Sequence, residues 1–277
     1  MVRLIVWLNR VFRGPRVEGR ESPEAYSDWE YRWGQSLVRE YLEPAGDLNG
    51  KKVLDIGCGL GGKTVAYGEG GASGVFGTDL SSDHARASER FARANKRAFP
   101  WGFFVADAAC LPVGDGTFDT VIANDAMEHF AEPEAALGEM VRVTKPGGAI
   151  WIFFTPHFSP LGSHLYDYIY APWCHLLFRR SDLEGAIREI LRSRFLERRP
   201  AEIDIKVAAV MESYDTELNH MSIRRFHRML TRLHGLEVSH EELRPAKYSA
   251  LKFLTRIPLA RELFTGTLVC RLKRAGH

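Results

Sequence analysis

The segment Val53-Leu54-Asp55-Ile56-Gly57-Cys58-Gly59-Leu60-Gly61-Gly62 constrains this chain more than any other stretch. An apolar run ends at Ile56 and enters a turn in which four of six residues are glycine, and the sequence beyond it turns helical. Glycine admits positive φ and puts no Cβ in the way, so such a bend lets a ligand lie close against the backbone. The bend alone is ambiguous. Gly57, Gly59 and Gly62 fit G-x-G-x-x-G, and Asp79 stands about where a dinucleotide fold places its ribose-binding acid.

Around the bend, short apolar runs alternate with helical ones. Strands are predicted at Lys52–Ile56, Gly74–Asp79, Phe103–Ala106, Phe118–Asn124 and Ala149–Phe154. Helices are predicted over residues 62–70, from Ser82-Asp83 onward, and over Pro133–Val143 with its proline in the first turn. That rhythm makes a parallel sheet covered on both faces. Upstream, residues 22–45 carry Trp29, Trp33, Leu37 and Tyr41 at helical spacing. After Phe154 the rhythm breaks: residues 156–221 hold aromatics, histidines and an Arg-rich helical piece, Glu184–Arg199. Ser222 then caps a helix with Ile223, Phe226, Leu230 and Leu233 on one face and Gly235 at its end. Strands follow near Leu236–Glu241 and at Thr267–Leu272. The expected fold is α/β, a doubly wound, mostly parallel seven-stranded sheet with a helical cap inserted after strand five. Its expected divisions are N-terminal helices over the ligand site (1–45), a ligand-binding core (46–155), a helical and aromatic substrate cap (156–221) and the rest of the core (222–277).

The 277 residues, 45% hydrophobic, suffice for one large core with an elaboration. With 37 basic against 35 acidic residues there is no field of one sign to gather nucleic acid, and none is expected as partner. Cys58, Cys110, Cys174 and Cys270 are scattered, without a CxxC pair, which suits free thiols in the cytoplasm. The opening run around Leu4, Ile5, Trp7 and Leu8 is too short for a signal-peptide core and reads as an amphipathic helix packed on the domain; contact with a membrane surface is the weaker alternative. No stretch approaches the roughly 20 apolar residues that span a bilayer, so no integral membrane association is expected.

Three features bear on the ligand. Asp55, two residues before the first glycine, suits a ligand carrying positive charge and opposes a pyrophosphate. Asp107 ends the third strand in Phe104-Val105-Ala106-Asp107-Ala108, followed by Leu111-Pro112 and Phe118-Asp119. Lys145-Pro146-Gly147-Gly148 turns tightly before the fifth strand. In this order the motifs, with Gly77-Thr78-Asp79, resemble class I S-adenosylmethionine-dependent methyltransferases, in the style of the small-molecule branch that includes quinone-biosynthesis C-methyltransferases. The likeness covers about residues 50–155 and, more loosely, 222–273.

The resemblance implies a Rossmann-like core, S-adenosyl-L-methionine as cofactor and S-adenosyl-L-homocysteine as product. It implies that Asp55 helps hold the methionyl amino end while Gly57, Cys58 and Gly59 lie against it. Asp79, with Leu80 beside it, would take the ribose hydroxyls, Asp107 and the Ala108 amide the adenine, and Asn124 and Asp125 the methionyl portion. Gly61 and Gly62 are expected only to finish the turn, and Asp119 to support structure.

Methyl transfer needs an aligned acceptor, exclusion of water and, for oxygen or nitrogen acceptors, a proton acceptor. The histidines and tyrosines after strand five supply candidates. His157 is the first choice for a base, with His164 and Tyr168 beside it in the catalytic set. Phe158, Tyr166, Trp173 and His175 are expected to line the acceptor pocket, with Phe178 as further apolar lining. The expected partner is a small, fairly apolar or aromatic acceptor methylated at oxygen, sulfur or carbon, and a homodimer is compatible with the sequence. No metal is assigned, though His157, His164, Asp167 and His175 are suitable ligand types. Glu128-His129 is read as structural or cofactor-adjacent. Arginines such as Arg188, Arg198 and Arg228 are read mainly as solvated helix faces. Two competing readings are an NAD-dependent oxidoreductase, for which Tyr248 and Lys252 give a Tyr-x-x-x-Lys spacing, and an S-adenosylmethionine-binding module without catalysis.

Overall fold

The computed structural model describes residues 1–12, 22–95, 99–194, 199–246, 249–258 and 260–276. Arg198 and Tyr248 lie outside the described residues, and with Tyr248 the Tyr-x-x-x-Lys spacing. In chain order the elements are α1 (Val2–Val11), α2 (Pro23–Leu37, extended by a π-turn over Val38–Leu42), β1 (Lys52–Ile56), α3 (Gly62–Glu69), β2 (Gly74–Asp79) and α4 (Ser82–Ala94). Then come β3 (Trp101–Val105), β4 (Phe118–Asn124), α5 (Pro133–Val143) and β5 (Thr144–Phe154). The remainder comprises α6 (Cys174–Leu177), α7 (Arg180–Arg194), α8 (Pro200–Thr216), α9 (Ile223–Leu230), β6 (Leu236–Pro245), α10 (Arg261–Phe264) and β7 (Thr265–Arg274).

The seven strands lie in the order β3-β2-β1-β4-β5-β7-β6. Neighbours from β3 to β5 run parallel. β6 and β7 pair antiparallel: Ala275 N donates to Gly235 O at 2.8 Å, and Ala246 N to Phe264 O at 3.1 Å. The doubly wound, mostly parallel seven-stranded sheet expected from the sequence is thus observed. Its central strands are largely apolar, as strands buried on both faces are, with Asp55 and Asn124 kept for their carboxyl ends. Chain order reverses at β1 and β4, which pair through Val53↔Thr120 and Asp55↔Ile122. The carboxyl ends of these strands and of β2 carry Asp55, Asn124 and Asp79, where open α/β sheets bind ligands.

Strand five begins earlier than predicted, at Thr144. Phe118 pairs with Thr144 and Thr120 with Ala149, so Lys145-Pro146-Gly147-Gly148 bulges from the ladder. Gly147 takes φ +77°, and a Cβ on Gly148 would meet Asp119 O at 2.7 Å. Asp119 supports this corner, accepting from Lys52 N (2.9 Å) and Lys145 Nζ (2.8 Å).

The chain clusters into two compact units. One comprises Glu18–Phe154, Arg228–Glu242 and Val269–His277 and contains most of the sheet with α2 to α5. Its core includes Val53, Tyr67, Ile122, Trp151 and Phe153. The other comprises Met1–Val17, Thr155–His227 and Leu243–Leu268. Its core joins Ile5 of α1 to Leu183, Ile187 and Ile190 of α7 and to Ile203 and Val207 of α8. Among the described residues no helix is long and apolar enough to cross a membrane.

Candidate functional site

Gly57, Gly59 and Gly61 all take positive φ (72°, 56° and 82°), and each faces a neighbour: a Cβ would lie 2.6 Å from Ala126 Cβ at Gly57, 3.0 Å from Glu30 Oε1 at Gly59 and 2.6 Å from Ser88 Cβ at Gly61. Gly62 does more than finish the turn. A Cβ there would lie 2.1 Å from Ser27 O and 2.7 Å from Glu30 Cβ, so its bareness lets α2 pack on the start of α3. The packing carries Glu30, a residue the sequence reading did not single out, to the glycine turn.

Beneath the turn lies a buried charged cluster. Asp55 is 1% exposed; its Oδ2 accepts from Thr64 Oγ1 at 2.5 Å, and its Oδ1 is buried with no hydrogen-bond partner. Glu30 is 3% exposed, and its Oε2 is likewise buried and unpartnered. The cation serving this cluster is Lys63, in the first turn of α3. Its Nζ donates to Asn124 O (3.0 Å) and Oδ1 (2.9 Å) and lies 3.7 Å from Asp125 Oδ2 and 4.0 Å from Glu30 Oε1. Burial opposes its charge, but Asp125, Glu30 and Asp55 together outweigh burial and hold Lys63 protonated. Burial raises the carboxyls, Glu30 to about 7 and Asp55 to about 6, with Lys63 pulling each back. Three carboxyls thus surround one cation, and two of their oxygens lack a donor.

Asp79 closes the second strand under different conditions. Its Oδ2 accepts from Gly59 N (3.1 Å) and its Oδ1 from Ser81 N (2.9 Å), with His84 Nδ1 at 3.1 Å from Oδ1. Burial would raise its pKa, but these bonds, His84 foremost, hold it below the usual carboxylate range; the same contact raises His84. Cys58 is fully buried, and burial together with Asp55 and Asp79 keeps its thiol protonated. Leu80 is exposed, as is Asp107, whose Oδ1 accepts from Ala109 N at 2.9 Å; Ala108 is buried. Arg142 braces the following loop through Leu111 O, Val113 O and Asp115. Asp125 takes φ 51° and donates its amide to Phe153 O. Glu128 is buried and His129 exposed.

In the other unit the sequence-predicted acceptor residues separate into groups. His157 and His175 come together with ring centroids 5.2 Å apart, and Phe158 stands edge-on to His157 at 5.1 Å. His220, missed by the sequence reading, completes this group at 4.4 Å from His157. His175 Nε2 lies 2.7 Å from His157 O; a carbonyl accepts only, so this nitrogen carries the hydrogen and leaves Nδ1 a lone pair. The Nδ1 atoms of His157 and His175 are both buried without partners. Burial, then His220 and His175, pushes His157 down to about 4, and burial also lowers His175. His164 pairs with Tyr166, centroids 5.9 Å apart, and Asp167 is exposed. Tyr168 and Phe178 pack against the α7–α8 core, while Trp173 donates to Leu263 O at 2.9 Å and meets Phe264 edge-on.

This geometry can be set beside known proteins. A family model described as a methyltransferase domain matches residues 54–152. Norajmaline N-methyltransferase of Rauvolfia serpentina is 36% identical over 107 residues, covering 39% of this chain and 37% of that protein. Demethylmenaquinone methyltransferase of Renibacterium salmoninarum is 31% identical over 140 residues, covering 50% and 54%. The chain therefore spans about a third to a half of the length of these curated relatives. Magnesium protoporphyrin IX methyltransferase from Synechocystis PCC 6803, solved with bound SAH, shares the fold at a TM-score of 0.53 and 15% identity, covering 99% of this chain and 94% of that one. Residues 54–152 thus carry a methyltransferase domain, and the relatives and the shared fold support a class I S-adenosylmethionine-dependent methyltransferase.

Proposed function

We propose that this protein transfers a methyl group from S-adenosylmethionine to a small, fairly apolar or aromatic acceptor, at oxygen, sulfur or carbon. The observation that carries the cofactor half is the pair of buried, unpartnered oxygens, Asp55 Oδ1 and Glu30 Oε2, at a glycine turn with one lysine among three carboxyls. With one cation for three carboxyls, such a surface is short of positive charge and would repel a diphosphate, since a buried carboxylate without a donor is costly. An ammonium and a sulfonium supply what is missing. The bound cofactor supplies an electrophilic methyl on sulfur. Asp55 and Glu30 hold its cationic end, Asp79 accepts from the ribose hydroxyls, Asp107 and Ala108 meet the adenine, and Asn124 and Asp125 flank the methionyl portion.

For an acceptor that must lose a proton, His157 and His175 are the bases. Both are kept neutral by burial, and in each the Nδ1 is without a partner. Phe158 and His220 pack against the His157 ring. The relatives' names, a norajmaline N-methyltransferase and a demethylmenaquinone methyltransferase, support a small organic acceptor. The free thiols Cys58, Cys110, Cys174 and Cys270 fit a reducing cytoplasm.

The test is transfer of labelled methyl to a panel of phenols, thiols and activated carbon acids. Label should move to at least one class, and Asp79→Ala should lower kcat/KM by about 100-fold or more, two charge-assisted hydrogen bonds being lost. Absence of transfer to every class by a protein that binds the cofactor would reject catalysis.

A further inference from the structure

Helix α1 is apolar on two opposite faces, and only one of them is used. Ile5 is fully buried in the α7–α8 core, and Val2 fills the space over Gly185. Asn9 Oδ1 accepts from Tyr170 N at 2.6 Å and fixes the register of the helix. On the side turned away from Ile5 and Asn9 stand Leu4, Trp7 and Val11, which are 43%, 57% and 58% exposed. At 3.6 residues per turn these three fall within about 60° of one another and form one stripe. Arg3 and Arg10 border the stripe, and no acidic residue occurs in the first 12 positions. Through residue 20 the sequence holds five arginines and one glutamate.

We infer that α1 is a peripheral membrane-docking helix whose Leu4–Trp7–Val11 stripe enters the interface of an anionic lipid bilayer. An amphipathic helix lies in that interface when it joins leucine and aromatic side chains to flanking arginines, the first sinking into the acyl boundary and the second meeting phosphate headgroups. Charge chooses lipid over a protein partner here, because the charged residues of α1, Arg3 and Arg10, are both basic and border the stripe, although the whole chain is nearly balanced, 37 basic against 35 acidic residues. The anchoring of α1 by Ile5 and Asn9 presents the stripe in a set orientation without requiring the helix to detach. The inference stands independently of the methyl-transfer reading.

The experiment is co-sedimentation of the full chain with vesicles of phosphatidylglycerol and phosphatidylcholine, and with phosphatidylcholine alone. The wild type should sediment with the anionic vesicles and much less with the neutral ones. Leu4→Glu/Trp7→Glu/Val11→Glu should reduce the bound fraction about tenfold or more, and Arg3→Glu/Arg10→Glu should abolish the preference for anionic lipid. Thermal melting by circular dichroism checks that each variant is folded; for a variant that is not, the single substitution Trp7→Gln replaces it, with lipid binding reduced in the same direction. Failure of the wild type to bind anionic vesicles would overturn the inference. So would a folded triple variant that binds like the wild type, or a lipid-indifferent dimer that the stripe substitutions dissociate.

Discussion

Asp55 and Glu30 carry the proposal at the scale of single residues, and their protonation gives it a signature. Burial holds their pKa values at about 6 and about 7, against 3.8 and 4.5 for the free groups. Between those limits the folded apo-protein binds protons that the unfolded chain has released, so these two groups make it lose stability as pH rises through the window. A cationic ligand prefers the ionised carboxylates. Its affinity should therefore rise with pH up to about 7 and level off above, with protons released on binding; titration calorimetry in buffers of different ionisation heat reads both. Glu30→Gln should flatten the upper part of that profile. Asp79 offers a second check. Three of its roughly four acceptor positions are taken by Gly59 N, Ser81 N and His84. Two ribose hydroxyls therefore require the half-exposed His84 ring to yield, and His84→Ala should bind S-adenosylhomocysteine as tightly as the wild type or a few-fold tighter. Asp55, Gly57, Gly59 and Asp79 were legible in the sequence because a strand end and a glycine turn are local patterns. Glu30 and His220 were not, since each reaches its cluster only through packing between segments distant in sequence. Lys63 was within reach: it directly follows the glycine turn, where a helix's first turn faces the site.

Helix α2 and the loop before β1 show the same limit at the scale of elements. The spacing of Trp29, Trp33, Leu37 and Tyr41 foretells a helix, but not that its backbone at Ser27 rests on Gly62. Gly62→Ala should cost about 3 kcal/mol in urea unfolding, an overpacking against backbone that cannot rotate away, and should weaken cofactor binding by displacing Glu30. A second tie binds the edge of the sheet. Asp47, just before β1, accepts from Trp151 Nε1 (2.6 Å) in β5 and from Arg271 Nε and Nη2 (2.7 and 2.8 Å) in β7. Asp47→Ala strands both donors and should destabilise the fold by about 3 kcal/mol, visible as a lower denaturation midpoint with unchanged slope. Nothing in the local sequence marks Asp47, because its partners come from strands about one hundred and two hundred residues later. Strand positions themselves were legible from apolar runs and moved by a few residues at most, except where Lys145-Pro146-Gly147-Gly148 proved a bulge within β5. Helix α8, less regular in its apolar spacing, was not foreseen as a separate element.

Over the whole molecule, a near-neutral chain carries unbalanced charge at a buried acidic cluster below the glycine turn and at the arginine-bearing helix α1. The first asks for a cation inside the fold and the second for an anionic surface outside it. The alternation of strands and helices made the sheet readable in advance, whereas the helical insertion after β5 has no such period, and the partners of its histidines and aromatics emerged only from the fold. Calorimetric titration of the purified chain with S-adenosylmethionine, S-adenosylhomocysteine and NAD tests the central claim most directly. Both adenosyl ligands should bind and NAD should not, with a proton released when S-adenosylmethionine binds below pH 7. NAD binding in preference to either, or binding of the adenosyl ligands left unchanged by Asp55→Asn, Glu30→Gln and Asp79→Ala, would contradict the account.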